Sequence, residues 1–307
     1  MCWKSDDKSE RVSNVKSKKT FLEEYHLQEI YACAEGKGLT WKRLSDIYED
    51  YRKRYYDRYS QNAQKIVERL YKNAPDEVKI IYARAKDPEH LVEKIVRKIG
   101  KEDKASYADI NVKNYRSIIT DLIGIRILIL KKEDWDKVDQ HIRKKFREIK
   151  GDPIAYVCYG DRDIYDETRI RIDYTNKGYR SQHYIIYYQN IPCEIQVRTL
   201  AEEVYGEFDH KIRYPYRDDN KFLKRYNKII SKVISELDDL ISTCSDLSEQ
   251  NLDELDKTFV NDKYTDWQKK IKDEGSVSAV SSKASKPESQ EMPATAQDLI
   301  VKKLIDR

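Results

Sequence analysis

The sequence predicts an α+β protein: a mixed five-stranded sheet flanked by helices, with helical extensions at both ends. Three observations predict it. Leu122 to Leu130 is aliphatic apart from Gly124 and Arg126, the pattern of a strand buried on both faces. Residues 179–199 read as two strands joined by the turn-like Gln189-Asn190-Ile191-Pro192. Residues 39–72 and 132–146 instead carry apolar side chains at helical spacing.

The elements follow in order. Residues 1–19 are polar and read as a flexible N-terminus. N-terminal helices fill 20–75: one over 20–34 and one over 39–72, with Leu44, Ile47, Tyr51, Tyr55 and Tyr59 on one face and Thr40 as cap. Pro75 ends them. Val78 to Ala83 reads as a strand, and Asp87-Pro88 as the capped start of a helix running to about Lys98. A short helical segment follows Asn114. Lys132 to Phe146 is amphipathic, with Trp135, Val138, Ile142 and Phe146 inward. Ile154–Cys158 and Ile170–Tyr174 are short strands around a charged loop at 159–169. A helix starts at Ala201 and a long one spans 219–243. The core thus covers 76–215 and C-terminal helices 216–272. A low-complexity linker covers 273–293, where serine recurs through 276–290, and 294–307 can close as a short helix.

Charged residues make up 37% of the chain and hydrophobic ones 39%, with net charge +4. That balance does not call for a bulk polyanion binder. No apolar run of about 18 residues exists, so no membrane span is expected. The start, Met1-Cys2-Trp3-Lys4-Ser5-Asp6-Asp7, has no apolar stretch of the signal-peptide kind, and cytoplasm is the expected compartment. Five cysteines lack metal-ligand spacing and read as reduced thiols. Cys193 sits in an apolar strand and is not expected to be a nucleophile.

The hairpin carries the chemistry. Gly178-Tyr179-Arg180-Ser181-Gln182-His183 gives a turn residue, an aromatic ring and two cationic or proton-carrying groups. Glu194 lies between apolar residues of the second strand, and a carboxylate there needs a metal or a cation. Gln196 shares its strand face. Arg126 interrupts an aliphatic strand and also needs a partner. No glycine-rich Walker loop is present.

Four segments in order resemble the synthetase domain of the RelA/SpoT family. They are Arg84-Ala85-Lys86 with Lys94, Asp121-Leu122-Ile123-Gly124-Ile125-Arg126, the 178–199 hairpin, and Asp209-His210 with Arg213-Tyr214. The resemblance covers roughly residues 70–215 and implies a nucleotidyltransferase-like synthetase fold. It implies transfer of the β,γ-diphosphate of ATP to the 3′-hydroxyl of GDP or GTP, giving AMP and an alarmone nucleotide of the stringent response. By that resemblance Asp121 ligates Mg²⁺, and Glu194 is a second ligand or the group that activates the acceptor hydroxyl. Arg84 and Arg126 sandwich the adenine of ATP, and Lys86 and Lys94 meet its phosphates. Tyr179 stacks on the acceptor guanine, while Arg180, His183 and Gln196 face the acceptor. The N-terminal region is too short and too poor in histidine for the hydrolase half of the long family members, which leaves a small, synthetase-only type.

Two other readings stay open. A toxin of this family places the diphosphate on the 3′ end of tRNA, for which Arg52-Lys53-Arg54 with Arg58, and Arg143-Lys144-Lys145 with Arg147, are candidate basic surfaces. A non-enzymatic nucleotide sensor is the other. Residues 244–307 are open to regulation, homo-oligomer formation, or binding of an antitoxin or a trigger.

Overall fold

The computed structural model describes residues 16–158, 161, 164–175, 178–212 and 220–249. The segments read as linker and terminal helix, and Arg213-Tyr214 of the closing motif, lie outside the described residues.

Three helices open the chain: α1 (Lys18–Glu24), α2 (Gln28–Gly36) and α3 (Trp41–Asp50). The single helix expected over 20–34 is two, because His26 takes the left-handed conformation (φ 51°) and turns the chain. Thr40 caps α3 by accepting from the Arg43 N–H. A π-helical turn, Tyr51–Tyr55, joins α3 to α4 (Tyr56–Tyr71). The continuous helix expected over 39–72 therefore carries one widened turn, of the kind that re-aims a side chain. Leu44, Ile47, Tyr51 and Tyr59 are buried as their spacing predicts.

The sheet is built from β1 (Val78–Ala85), β2 (Ile123–Ile129), β3 (Ile154–Cys158), β4 (Arg171–Thr175), β5 (Ser181–Tyr188) and β6 (Ile191–Thr199). Its order is β1-β2-β6-β5-β3-β4, with β2–β6 and β3–β4 parallel and the rest antiparallel. It is mixed, as expected, but has six strands rather than five. Even the short, exposed β4 finds a parallel partner in β3 and joins at the edge. The β5–β6 turn is tighter than the sequence suggests. Gln189 and Asn190 both take positive φ (51° and 61°), and Pro192 already pairs with Tyr187 inside β6.

One sheet face is the core. Ile81, Ile123, Ile125, Ile127, Tyr184, Ile186, Cys193, Ile195 and Val197 are buried there, and α4 packs against β1 and β2. α5 (Pro88–Gly100), capped by Asp87, packs on α2 and α3. α6 (Tyr115–Ile118), α7 (Trp135–Lys145), α8 (Leu200–Ile212) and α9 (Lys221–Glu249) complete the described elements. The chain divides into two compact units, Met1–Asp246 and Leu247–Arg307. Burial pushes the Cys193 thiol up to about 12, so it is an inert core group.

Candidate active site

The site is built on the other sheet face and at one strand end. Lys86 leaves β1 one step beyond its last paired residue, and its N–H donates to the Leu122 carbonyl (2.9 Å). The Tyr51 hydroxyl, delivered by the π-helical turn, donates to the Lys86 carbonyl (2.9 Å). This fixes Lys86 beside Asp121, which immediately precedes the buried Leu122. Asp121 then takes two ammonium groups: Lys86 Nζ at 2.9 Å and Lys94 Nζ, from α5, at 2.8 Å. All three side chains are at most one-fifth exposed. Burial opposes charge on Asp121, but the two lysines outweigh it and hold the carboxyl far below the usual range. Burial likewise opposes the Lys94 charge, and Asp121 keeps that ammonium above its ordinary value.

Strand register sets the rest. Across β1, β2 and β6, Arg84, Gly124 and Glu194 lie in one row, and Tyr82, Arg126 and Gln196 in the next, which continues to His183 on β5. Gly124 has open space where a Cβ would stand. It leaves a gap over the sheet between Arg84 and Glu194. Arg84 and Arg126 are diagonal neighbours on antiparallel strands, roughly 7–8 Å apart at that position, a spacing that admits one flat ring between two guanidinium planes. Arg84 is exposed. Arg126 is half-buried, donates to the Gln196 side-chain carbonyl and lies 3.4 Å from Glu203 of α8.

Glu194 is held by a chain of hydrogen bonds. His183 Nδ1 is 3.2 Å from Glu194 Oε1, and Gln196 Nε2 donates to Oε2 (2.5 Å). His183 Nε2 meets the Tyr179 hydroxyl at 2.8 Å, and Arg198 Nη2 donates to that same hydroxyl (2.7 Å). Arg198 also covers one face of the Tyr179 ring, 4.9 Å from its centroid, and donates to Glu203 (2.9 Å). Tyr156 packs edge-on against both Tyr179 and His183. The electrostatics agree. Burial disfavours each charge, yet His183 is raised by Tyr179 and Glu194, Glu194 is lowered chiefly by His183, and Tyr179 is lowered by His183 and Arg198. At neutral pH the row holds a carboxylate braced by an imidazole with raised proton affinity.

Asp121, Lys86 and Lys94 thus form one group, and Arg84, Arg126, Glu194, Gln196, His183 and Tyr179 a second on the adjoining sheet face. Asp121 lies within electrostatic reach of Glu194. Arg180 does not join them. Its buried guanidinium makes a two-point pair with Asp161 (2.8 and 2.7 Å) and donates to Ser231 of α9 (2.8 Å). The alternation that puts Glu194, Gln196 and Arg198 on one face would have found Arg198, and Glu203 is its buried partner. Tyr82 and Tyr156 carried no sequence signal that set them apart among 24 tyrosines. In the basic stretches Lys53 pairs with Glu49, Arg54 with Asp50 and Arg143 with Asp139.

The polar sheet face thus gathers cationic groups around two carboxylates whose ionised form is favoured. Residues 83–219 match the family model of the region found in RelA / SpoT proteins. Among solved structures, a GTP pyrophosphokinase family protein from Streptococcus pneumoniae is 22% identical. The match covers 68% of this chain and 95% of that one, with TM-score 0.43. Small alarmone synthetase 1 from Bacillus subtilis is 20% identical over 66% of this chain and all of that one, with TM-score 0.47. The same enzyme bound to its product pppGpp gives 20%, 64%, 97% and 0.44. No curated protein matches the chain. No helix among the described residues is long and apolar enough to cross a membrane.

Proposed function

We propose that the chain is a pyrophosphokinase that moves the β,γ-diphosphate of ATP to the 3′-hydroxyl of GDP or GTP. The observation that carries this reading is the pair of ionised carboxylates, Asp121 and Glu194, at two neighbouring strands with lysines on one and a histidine on the other. The match of residues 83–219 to the RelA / SpoT family model supports it.

In this reading Arg84 and Arg126 hold the adenine, as flat cations suited to stacking. Lys86 and Lys94, already clustered at Asp121, neutralise the transferred phosphates. Glu194 accepts the hydrogen bond of the acceptor's 3′-hydroxyl and receives its proton as that oxygen bonds to the β-phosphorus. The bond between the α-phosphorus bridge and the β-phosphorus breaks, and AMP leaves. Tyr179 has one ring face on Arg198, so stacking on the acceptor base falls to the other. His183 and Gln196 keep Glu194 aimed.

The carboxylates also suit Mg²⁺, a hard cation that takes one or two protein carboxylates and completes its shell with phosphate oxygens and water. Among the described residues no three His, Cys, Asp or Glu side chains converge as a metal cage. Such a cation would be held by Asp121 and Glu194 and would supply charge neutralisation at the transferred group.

Incubation with γ-labelled ATP and, separately, GDP, GTP and deacylated tRNA tests the assignment. Label on a guanine nucleotide is expected; label on tRNA alone would move the acceptor to RNA, and no label on any of them would refute the activity.

A further inference from the structure

Glu203 of α8 stands between two arginines of the sheet face. Its Oε1 accepts from the Tyr82 hydroxyl (2.5 Å) and lies 3.4 Å from Arg126 Nε. Its Oε2 accepts from Arg198 Nη1 (2.9 Å). The Arg198 and Glu203 side chains are only 4% and 11% exposed, so each charge depends on protein rather than water for its partners. Burial opposes the Glu203 charge, yet Arg126 and Arg198 hold the carboxyl below its usual value.

The local sequence puts the carboxylate there. Thr199 and Glu202 cap the start of α8 reciprocally. The Glu202 N–H donates to Thr199 Oγ1, and the Thr199 N–H donates to Glu202 Oε2, both at 3.0 Å. That cap fixes the roll of the first turn and brings Glu203, the next residue, toward the sheet. One turn further, Gly206 makes room for Arg198: a Cβ there would stand 2.2 Å from Arg198 Nη1.

The two arms of Glu203 end at different nucleotide-facing groups. Arg126 is the adenine-side guanidinium. Arg198 donates to the Tyr179 hydroxyl (2.7 Å) and covers one face of its ring, which leaves the other face for the acceptor base. A guanidinium recognises a flat ring through its own plane, and Glu203 holds the planes of both.

We propose that Glu203 is a positioning residue shared by the two nucleotide subsites, holding Arg126 for the adenine and, through Arg198, Tyr179 for the acceptor base. The inference rests on the pyrophosphokinase reading and adds to it that one side chain behind both subsites sets the affinity of each.

The test is calorimetric titration of the full-length chain with α,β-methylene ATP and Mg²⁺ and, separately, with GDP, which reads both affinities without turnover. Glu203→Gln keeps the size and removes the charge. At a temperature where circular dichroism shows it folded, both Kd values should rise at least about fivefold. Gly206→Ala takes away no polar group and displaces only the tip of a flexible side chain, so the fold should hold. Its Kd for GDP should rise at least about fivefold while that for the ATP analogue changes by less than about twofold. A folded Glu203→Gln that binds both nucleotides as the wild type does overturns the proposal alone and leaves Glu203 a residue of the fold. A loss confined to one nucleotide in that variant also overturns it, as does unchanged GDP binding in Gly206→Ala. A wild type that binds neither nucleotide overturns the pyrophosphokinase reading and the proposal with it.

Discussion

Asp121→Asn separates the structural and chemical roles of the lysine cradle. The carboxylate serves two ammonium groups at 2.9 and 2.8 Å, all about one-fifth exposed or less. Breaking a fully buried ion pair leaves a stranded charge at about 3–5 kcal/mol, whereas an exposed pair is worth under ~1 kcal/mol. At this burial the loss should be about 2–4 kcal/mol. For a unit of this size each kcal/mol moves Tm by about 2–4 °C, so Tm should fall by roughly 5–15 °C. The sign with pH follows from the depressed carboxyl. Its contribution is present above the ordinary aspartate value of 3.8 and is lost as pH falls through the lowered one. Transfer should fall at least about 100-fold in the folded variant, equivalent to ~3 kcal/mol at the transition state. Adding Lys86→Met removes one stranded ammonium and should recover part of the Tm, but none of the activity. Calorimetry and the labelled-ATP assay, run at a temperature where both variants are folded, give the two readouts. Recovery of activity together with Tm would show Asp121 to be structural only, and an unchanged Tm in Asp121→Asn would refute the cradle.

Tyr179→Phe keeps the ring but removes the hydroxyl between Arg198 and His183; kcat should drop about tenfold or more, and near wild-type kcat would discard the hydrogen-bonded chain. His183 has a raised proton affinity, so its stabilising contribution is complete below about 6.5 and is lost as pH rises through its folded value; His183→Gln should flatten that part of the Tm-against-pH curve, and an identical curve would contradict the assignment. Arg84→Lys keeps the charge but not the flat guanidinium, and KM for ATP should rise about threefold to thirtyfold; an unchanged KM would return Arg84 to the solvent surface. A Cβ at Gly124 meets nothing within 4 Å, so in Gly124→Ala Tm should hold while the methyl in the gap between Arg84 and Glu194 lowers kcat/KM by at least about tenfold; full activity would show that no ligand crosses that gap.

Much of this was legible because it depends on spacing. The β2 stretch, Leu122–Leu130, announces itself by seven apolar residues around two exceptions, and the exceptions, Gly124 and Arg126, are the ones that face the site. Asp87 and Thr40 cap helices as their residue types predict. What was not legible depends on tertiary neighbours. Arg180 and His183 look alike in sequence as polar groups of one hairpin. Only the position of Asp161 and α9 draws Arg180 away. The hydroxyl role of Tyr179 requires Arg198, nineteen residues on, to reach across the strand pair. The widened turn at Tyr51–Tyr55 has no local signal, since each residue there is compatible with a regular helix, yet it delivers the hydroxyl that fixes Lys86.

Diphosphate transfer differs from transfer of a single phosphate in its leaving group, AMP rather than ADP. Product analysis with adenine-labelled ATP and GDP or GTP should find one AMP for each guanine nucleotide that gains two phosphates, and Glu194→Gln should abolish both together. Formation of ADP in place of AMP, or AMP released with no phosphate gained by the guanine nucleotide, would contradict it.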